Sequence, residues 1–333
     1  MKTVLKNKKL AMKKLFFVNI ILIIGVLFTC CDKETPSNTA GNCGDNLVID
    51  WNSLTQTPTP YELNVPNTFQ NIVSGMNIPP TNPLMQEGVS LGRMLFYDPI
   101  LSGDSTQSCA SCHNASFAFT DNAKAFSTGI DGIAGNRNSM ALFNLAWTPR
   151  LFWDGRSETL EEQALEPVPN PIELHQEWPD AVCKLMSSEM YRKAFYEAFG
   201  TKEITPTEVT KALAQFERTI ISGNSKFDLA ITPGSGVQFT EQEELGYALF
   251  VDENGGDCFH CHSDPAFLFT DNKFRNNGLD EVSSFNDFLD KGLGEVTGEE
   301  EDNGLFRTPS LRNIALTAPY MHDGRFQTLE EVL

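Results

Sequence analysis

Cys109-Ala110-Ser111-Cys112-His113 and Cys258-Phe259-His260-Cys261-His262 are two copies of the spacing Cys-x-x-Cys-His. Two thiols so spaced can each form a thioether to a porphyrin, and the adjacent histidine can reach the iron. The pattern is that of covalent c-type haem attachment. Chance is a weak rival: with 8 Cys and 5 His in 333 residues, roughly three such chains in a thousand would carry one copy. Zinc is the chemical rival. A structural four-Cys zinc site separates its pairs by about 15–20 residues, whereas 145 residues lie between Cys112 and Cys258.

The elements that must position these groups begin after an export signal. Lys2, Lys6, Lys8, Lys9, Lys13 and Lys14 precede an apolar run from Leu15 to Phe28. That run suits a signal-peptide core and is short for a membrane span, which needs about 20 residues. It ends at Thr29-Cys30-Cys31, so residues 1–29 read as a lipoprotein signal peptide and Cys30 as the lipidated residue; an ordinary cleaved signal is the alternative. Removing residues 1–29 takes away six lysines and no acid, leaving 19 basic side chains against 44 acidic ones, a formal charge of −25. Such a surface repels nucleic acid and suits a basic protein partner as well as plain solubility. Export agrees with haem c, because the thiols meet an oxidising compartment. Cys31, Cys43 and Cys183 remain; a Cys31–Cys43 bridge fits the spacing without being fixed by it.

Residues 30–82, rich in Pro, Asn and Thr, read as a tether or wrapping linker. Beyond them the chain repeats itself. Leu91-Gly92-Arg93-Met94-Leu95-Phe96-Tyr97-Asp98 matches Leu245-Gly246-Tyr247-Ala248-Leu249-Phe250-Val251-Asp252, and the two haem motifs follow. Phe117-Ala118-Phe119-Thr120-Asp121-Asn122 then matches Phe267-Leu268-Phe269-Thr270-Asp271-Asn272, and Asp154-Gly155-Arg156 matches Asp323-Gly324-Arg325. Extra residues in the second copy fall in the acidic stretch Asp280–Gly304, which reads as a solvated surface loop. Thr240-Glu241-Gln242-Glu243 is a capping box ahead of an apolar face at Leu245, Ala248 and Leu249. Thr205-Pro206-Thr207-Glu208 opens a helix with Val209, Leu213, Phe216 and Ile220 on its stripe, and Thr159 and Thr328 cap two more. No sustained period-2 run occurs. The expected fold is all-α: two packed cytochrome-c-like haem domains from an internal duplication, at residues 83–235 and 236–333. Phe117, Phe119, Phe267 and Phe269 are expected against the porphyrin faces.

The copies differ where chemistry is expected. Ahead of Asp-Gly-Arg the first copy has Trp153 and the second His322. Gln163 and Glu173 follow Trp153. Alone, Glu173 reads as a solvated carboxylate, Gln163 as a helix-surface amide and Trp153 as core. Together with both haem motifs, Arg137-Asn138, Phe152-Trp153-Asp154-Gly155-Arg156 and Tyr320-Met321-His322-Asp323-Gly324, they resemble the bacterial di-haem cytochrome c peroxidases and their MauG-like relatives over about residues 83–333. The resemblance implies roles. His113 would be the proximal ligand of the peroxide-reacting haem, and His262 would ligate the electron-accepting haem. Glu173 would be the distal acid–base, Gln163 would orient peroxide, and Trp153 would help electrons cross between haems. Asn138, Thr317 and Pro319 would hold a calcium ion, mostly through carbonyl oxygens. His322 would orient backbone or a propionate, and His260 would lie at the surface; His175 has no assigned role.

Two departures from the family pattern matter. Many members carry a histidine on a loop after the first proximal ligand that caps the peroxide-reacting iron at rest. Here that loop, Ser127-Thr128-Gly129-Ile130-Asp131-Gly132-Ile133-Ala134-Gly135, offers no His, Met, Cys or Lys. The C-terminal sixth ligand of the other haem would fall just past Leu333, so the chain reads as truncated there. A methionine at that place would suit a peroxidase, and a tyrosine a MauG-like oxidase. The expected protein is a periplasmic, lipid-anchored di-haem peroxidase that reduces hydrogen peroxide to water. Its electrons would come from a small redox protein, a cytochrome c or a copper protein; a homodimer is left open. The alternatives are a MauG-like oxidase acting on a protein substrate and a non-enzymatic di-haem electron carrier.

Overall fold

A computed structural model describes residues 43–44, 47–121, 123–262 and 267–333. The signal peptide, Cys30 and Cys31 lie outside the described residues. In chain order the helices are α1 (Gln86–Tyr97), α2 (Cys109–Cys112), α3 (Leu160–Gln163), α4 (Trp178–Met186), α5 (Glu189–Phe199), α6 (Pro206–Arg218), α7 (Lys226–Ile231), α8 (Glu241–Val251), α9 (Phe259–His262), α10 (Leu293–Thr297) and α11 (Leu329–Val332). Short 3₁₀ turns join them. The described strands are β1 (Phe274–Arg275) and β2 (Phe306–Arg307), paired antiparallel with Phe274 opposite Arg307. The protein is mostly helical, and Asn42–Leu333 forms one compact unit.

The main core forms where α1 crosses α5 and α6. Leu91, Leu95 and Phe96 of α1 are buried against Tyr191 and Phe195 of α5 and Val209, Leu213 and Phe216 of α6. The expected caps are present. Thr205 and Glu208 form a reciprocal capping box with Pro206 at the first helical position, which satisfies amide donors that a helix start leaves orphaned. Thr159, Thr240 and Thr328 each accept an amide N–H three residues on. The crossing is close because of glycine: a Cβ on Gly92 would overlap the carbonyl of Ala212.

The N-terminal segment wraps this core and adds to it. Phe69 is fully buried against Trp147, ring centroids 5.3 Å apart, and Trp51 packs on Tyr196 at 4.8 Å. Cys43 pairs with Cys183 of α4, with Cα atoms 4.9 Å apart. This replaces the Cys31–Cys43 pairing that spacing alone allowed: a bridge follows distance in space, and chain separation carried no trace of it. Asn82 ties the segment to α3 and α6, donating to Glu161 Oε1 at 2.6 Å and accepting from Gln215 Nε2 at 2.8 Å. Arg218, fully buried, grips Glu161 through both terminal nitrogens at 2.8 Å.

Matching segments adopt matching backbones. Phe119 and Phe269 both have left-handed φ, 61° and 57°. Phe152 and Gly155 (65° and 72°) correspond to Met321 and Gly324 (74° and 65°), each turn closed by a bridge, Leu151 to Ser157 and Tyr320 to Phe326. Two expectations need correction. The apolar face of α8 is not packed as its counterpart on α1 is: Leu245 is 60% and Leu249 49% exposed, and no described helix covers α8 as α6 covers α1. The acidic stretch Asp280–Gly304 is only partly a solvated loop. Phe288, Leu293 and Asn303 are buried, and Asp290 grips Arg137 through two bonds of 2.7 and 2.8 Å. A charge held by a part-buried guanidinium stops behaving as solvated surface.

Gly92→Ala is expected to lower stability by about 1–3 kcal/mol, the usual cost of overpacking, although alanine is the better helix former. A urea midpoint unchanged from the parent would show that α1 and α6 can part freely.

Candidate active site

Each haem motif makes little more than one helical turn, so something else must aim its histidine. His113 Nδ1 bonds the carbonyl oxygen of Phe119 at 2.9 Å, and His262 Nδ1 bonds that of Phe269 at 3.3 Å. The left-handed φ of these two phenylalanines turns their carbonyls to the rings. This leaves Nε2 as the free ligand nitrogen of each imidazole, with the second nitrogen held by a backbone acceptor as in well-ordered metal sites. Burial lowers the pKa of both histidines and keeps the rings neutral. Of the four phenylalanines expected against the porphyrin faces, Phe119 and Phe269 supply these carbonyl acceptors. Among the described residues none of Phe117, Phe119, Phe267 and Phe269 borders either cavity described below. Phe119 packs into the main core, and Phe267 and Phe269 pack around Phe227, with ring centroids 5.3 and 5.0 Å from it.

Two cavities lie in front of these histidines. The first, about 440 Å³, is bordered by Cys109, Cys112, His113, Gln163, Glu173, Trp153 and Glu217. The second, about 340 Å³, is bordered by Cys261, His262, Met321, His322, Leu329 and again Trp153. Both sizes fall in the range of ligand pockets, about 300–1,000 Å³. In each, a thiol and an imidazole face one space, and all four motif cysteines are free. The donor set fits a porphyrin joined through thioethers and ligated by histidine. Among the described residues no group of three or more His, Cys, Asp or Glu side chains is placed to hold a metal ion.

Glu173 lies on a turn stapled at both ends. Its amide donates to Asn170 O at 3.0 Å, its Oε1 accepts from Asn170 Nδ2 at 2.7 Å, and its carbonyl accepts from Ile130 N at 3.0 Å. Burial raises its pKa, partly offset by the Asn170 bond. Gln163, the last residue of α3, borders the same cavity. The loop 127–135 closes against this turn, with Ser127, Gly129 and Gly135 at the cavity edge. His175 points away from the cavity, is exposed, and pairs with Asp131 at 2.5 Å. His260 is likewise exposed, beside Asp257.

Trp153 stands between the two cavities and borders both. Its indole N–H donates to Asn138 O at 2.9 Å, and Asn138 N donates to His322 O at 2.6 Å. His322 stacks on Phe306 at 3.7 Å, with its ring edge toward Trp153 at 6.5 Å. Asn138, Thr317 and Pro319 all border the second cavity.

Sequence reasoning missed Glu217. It is buried, borders the first cavity, and its Oε2 has no hydrogen-bond partner among the described residues. On α6 it reads as one more charge in Phe216-Glu217-Arg218; only the crossing with α1 puts it inside. Burial and the nearby Glu161 push its pKa up to about 8, against a partial offset from Arg218. Because the folded value lies above the ordinary 4.5, the native state holds a proton that the unfolded chain releases. Stability is therefore expected to fall as pH rises from about 4.5 through 8. Glu217→Gln is expected to flatten that fall in denaturant titrations. An equally steep fall in the variant would assign it to other groups.

The family model for di-haem cytochrome c peroxidase matches residues 86–234. The methylamine utilization protein MauG of Methylophilus methylotrophus is 33% identical over 290 residues, covering 86% of this chain and 84% of that protein. The cytochrome c551 peroxidase of Nitrosomonas europaea is 37% identical over 260 residues, covering 77% and 73%. Among solved structures, a MauG-like protein associated with microbial copper homeostasis superposes with a TM-score of 0.73 at 34% identity, over 82% of this chain and 81% of that one. The diheme peroxidase BthA of Burkholderia thailandensis gives 0.66 at 25% identity, over 77% and 71%. With its two haem-attachment motifs each facing a cavity, the chain belongs to the di-haem cytochrome c peroxidase family.

Proposed function

We propose that the chain is an exported di-haem peroxidase that reduces hydrogen peroxide to two waters, taking up two electrons and two protons. One observation carries this reading: Cys109, Cys112 and His113 share a single cavity with Glu173 and Gln163, and Trp153 connects that cavity to the one at His262. When bound, the haem on His113 supplies the iron that takes peroxide and, with the haem on His262, the two electrons. The chain's own residues do the rest. Cleaving the O–O bond requires a proton moved from the near oxygen to the far one. Glu173 can accept it and return it, because burial brings its affinity for a proton closer to that of its surroundings. Asn170 holds one carboxyl oxygen, leaving the other for peroxide. Gln163 orients the incoming molecule by hydrogen bonding, and Trp153 carries electrons across the seam.

The two haem-bearing halves, residues 83–235 and 236–333, are read as products of a duplication, supported by the paired left-handed turns. The leader 1–29, a lipid on Cys30 and periplasmic localisation stay part of the proposal. Among the described residues no helix is long and apolar enough to cross a membrane. The electron donor is proposed to be a small cytochrome c or copper protein, and a homodimer is left open. Asn138, Thr317 and Pro319 are proposed to hold calcium. Asn138 O already accepts the Trp153 indole, yet a carbonyl has a second lone pair.

A MauG-like oxidase is the second reading, favoured by the relatives named MauG. Steady-state peroxide turnover with a reduced cytochrome donor separates the two. The parent is expected to turn over, and Glu173→Gln to lose about 10²–10⁴-fold; equal rates would remove Glu173 from the mechanism. A parent slow with that donor but active on a protein substrate would favour the oxidase. The loop 127–135 brings no ligand to the first iron, so the fully oxidised protein is expected to show a high-spin ferric signal without prior reduction. Purely low-spin spectra would overturn this.

A further inference from the structure

Arg307 sits on β2 at the seam between the two cavities and borders both. It is 6% exposed. Its amide N–H donates to the carbonyl of Trp153 at 2.8 Å, which fixes the strand against the bridging tryptophan. Among the described residues its guanidinium meets only neutral acceptors, two oxygens at long range, Phe152 O at 3.5 Å and Asn272 Oδ1 at 3.3 Å, and the sulfur of Met140 at 3.6 Å. Burial alone draws its pKa down to about 10, with no opposite charge to restore it, so it remains a cation at neutral pH.

The other arginines around the cavities have carboxylate partners. Arg137 holds Asp154 and Asp290, Arg156 holds Asp154 and Glu166, and Arg275 holds Asp271. Among the described residues no lysine borders either space. A dry guanidinium without a counter-ion is one of the least favourable arrangements in a protein interior, and its planar fork is shaped for a carboxylate. The walls it shares with Met140, Leu145, Trp153 and Phe306 are apolar there. Among the described residues the carboxylates that border the first cavity, Asp154, Glu173, Glu217 and Glu295, make no ion pair with it. An anion arriving with whatever fills the cavities would supply the missing charge.

We propose that Arg307 is the docking point for a porphyrin carboxylate, holding a propionate of one haem at the seam beside Trp153. The proposal rests on the two-haem reading above and goes beyond it by naming the counter-ion of a group that reading leaves unpaired. Either haem could supply the carboxylate. A cation held there favours the reduced form of the haem it binds, so Arg307 also sets the driving force between the two irons.

The test uses the full, matured protein with Arg307→Gln and Arg307→Lys, counting covalent haem per chain and titrating each haem's midpoint potential through its own optical signature. Two haems per chain are expected in both variants. In Arg307→Gln the potential of the haem bound at the seam should fall by a tenfold change in its reduced-to-oxidised ratio, about 59 mV, while the other moves less; this identifies the haem. Arg307→Lys should keep most of the parent potential. Two haems with both potentials unmoved would overturn this proposal alone; a parent chain without covalent haem would overturn the two-haem reading with it. Resonance Raman gives a second readout should Arg307→Gln fail to mature. The propionate bending mode is expected to shift between the parent and Arg307→Lys, and an unshifted mode overturns the proposal.

Discussion

The site depends on one hydrogen bond made twice, from a half-buried imidazole to the carbonyl of a phenylalanine in a left-handed turn. A helix as short as α2 or α9 cannot orient its own last side chain. Left free, each ring could turn its nitrogens either way, with Nδ1 unsatisfied in an apolar interior at a cost of about 1–3 kcal/mol. Positive φ at a bulky residue costs a similar amount, about 1–3 kcal/mol, and here it recurs at Phe119 and Phe269. The two costs resolve each other: the strained backbone supplies the acceptor that fixes the ring. Covalent attachment then needs only thiols at the cavity edge, which Cys109, Cys112 and Cys261 provide.

The seam between the cavities turns two similar sites into one unequal pair. Trp153 and His322 occupy equivalent turns, so the same backbone presents an indole to both cavities and an imidazole to the second alone. Hydrogen bonds then lock them together, from the Trp153 indole to the Asn138 carbonyl, and through the main chain from Asn138 to His322 and from Arg307 back to Trp153. Arg137 clamps the outside of this seam through Asp154 and Asp290. The path between the cavities is built from short, mostly main-chain contacts, which hold position better than long side chains on loops.

How much of this was legible depended on where the signal sat. The haem motifs, the threonine caps and the repeat were plain, because each is a local pattern of fixed spacing. Glu173 and Gln163 could be named only through family resemblance, since nothing local separates them from surface residues; their shared cavity is a product of the α3 and 170–175 turns meeting. The Cys43–Cys183 bridge, the burial of Phe69 and the inward turn of Glu217 were invisible for the same reason. Each is set by contacts between segments far apart in the chain. Phe119 and Phe269 carry a role of a different kind: their aromatic rings suggest packing on porphyrin, while their left-handed backbone, which side-chain identity does not encode, presents the carbonyls that hold the histidines.

The halves also differ in how firmly they are built, and this bears on division of labour. Around the first cavity α1, α5 and α6 form a continuous core, and the turn of Glu173 is tied at its amide, carboxyl and carbonyl. Proton transfer to peroxide is steep in distance, so a carboxylate serves only if its position is settled before the substrate arrives. The second half has two-residue strands and an α8 whose apolar side is open among the described residues. Electron transfer tolerates that looseness better than proton transfer does, because it needs no bond-length alignment. The proposed roles, Glu173 acting over the well-packed first cavity and electrons entering at the second, agree with what each reaction demands of its surroundings.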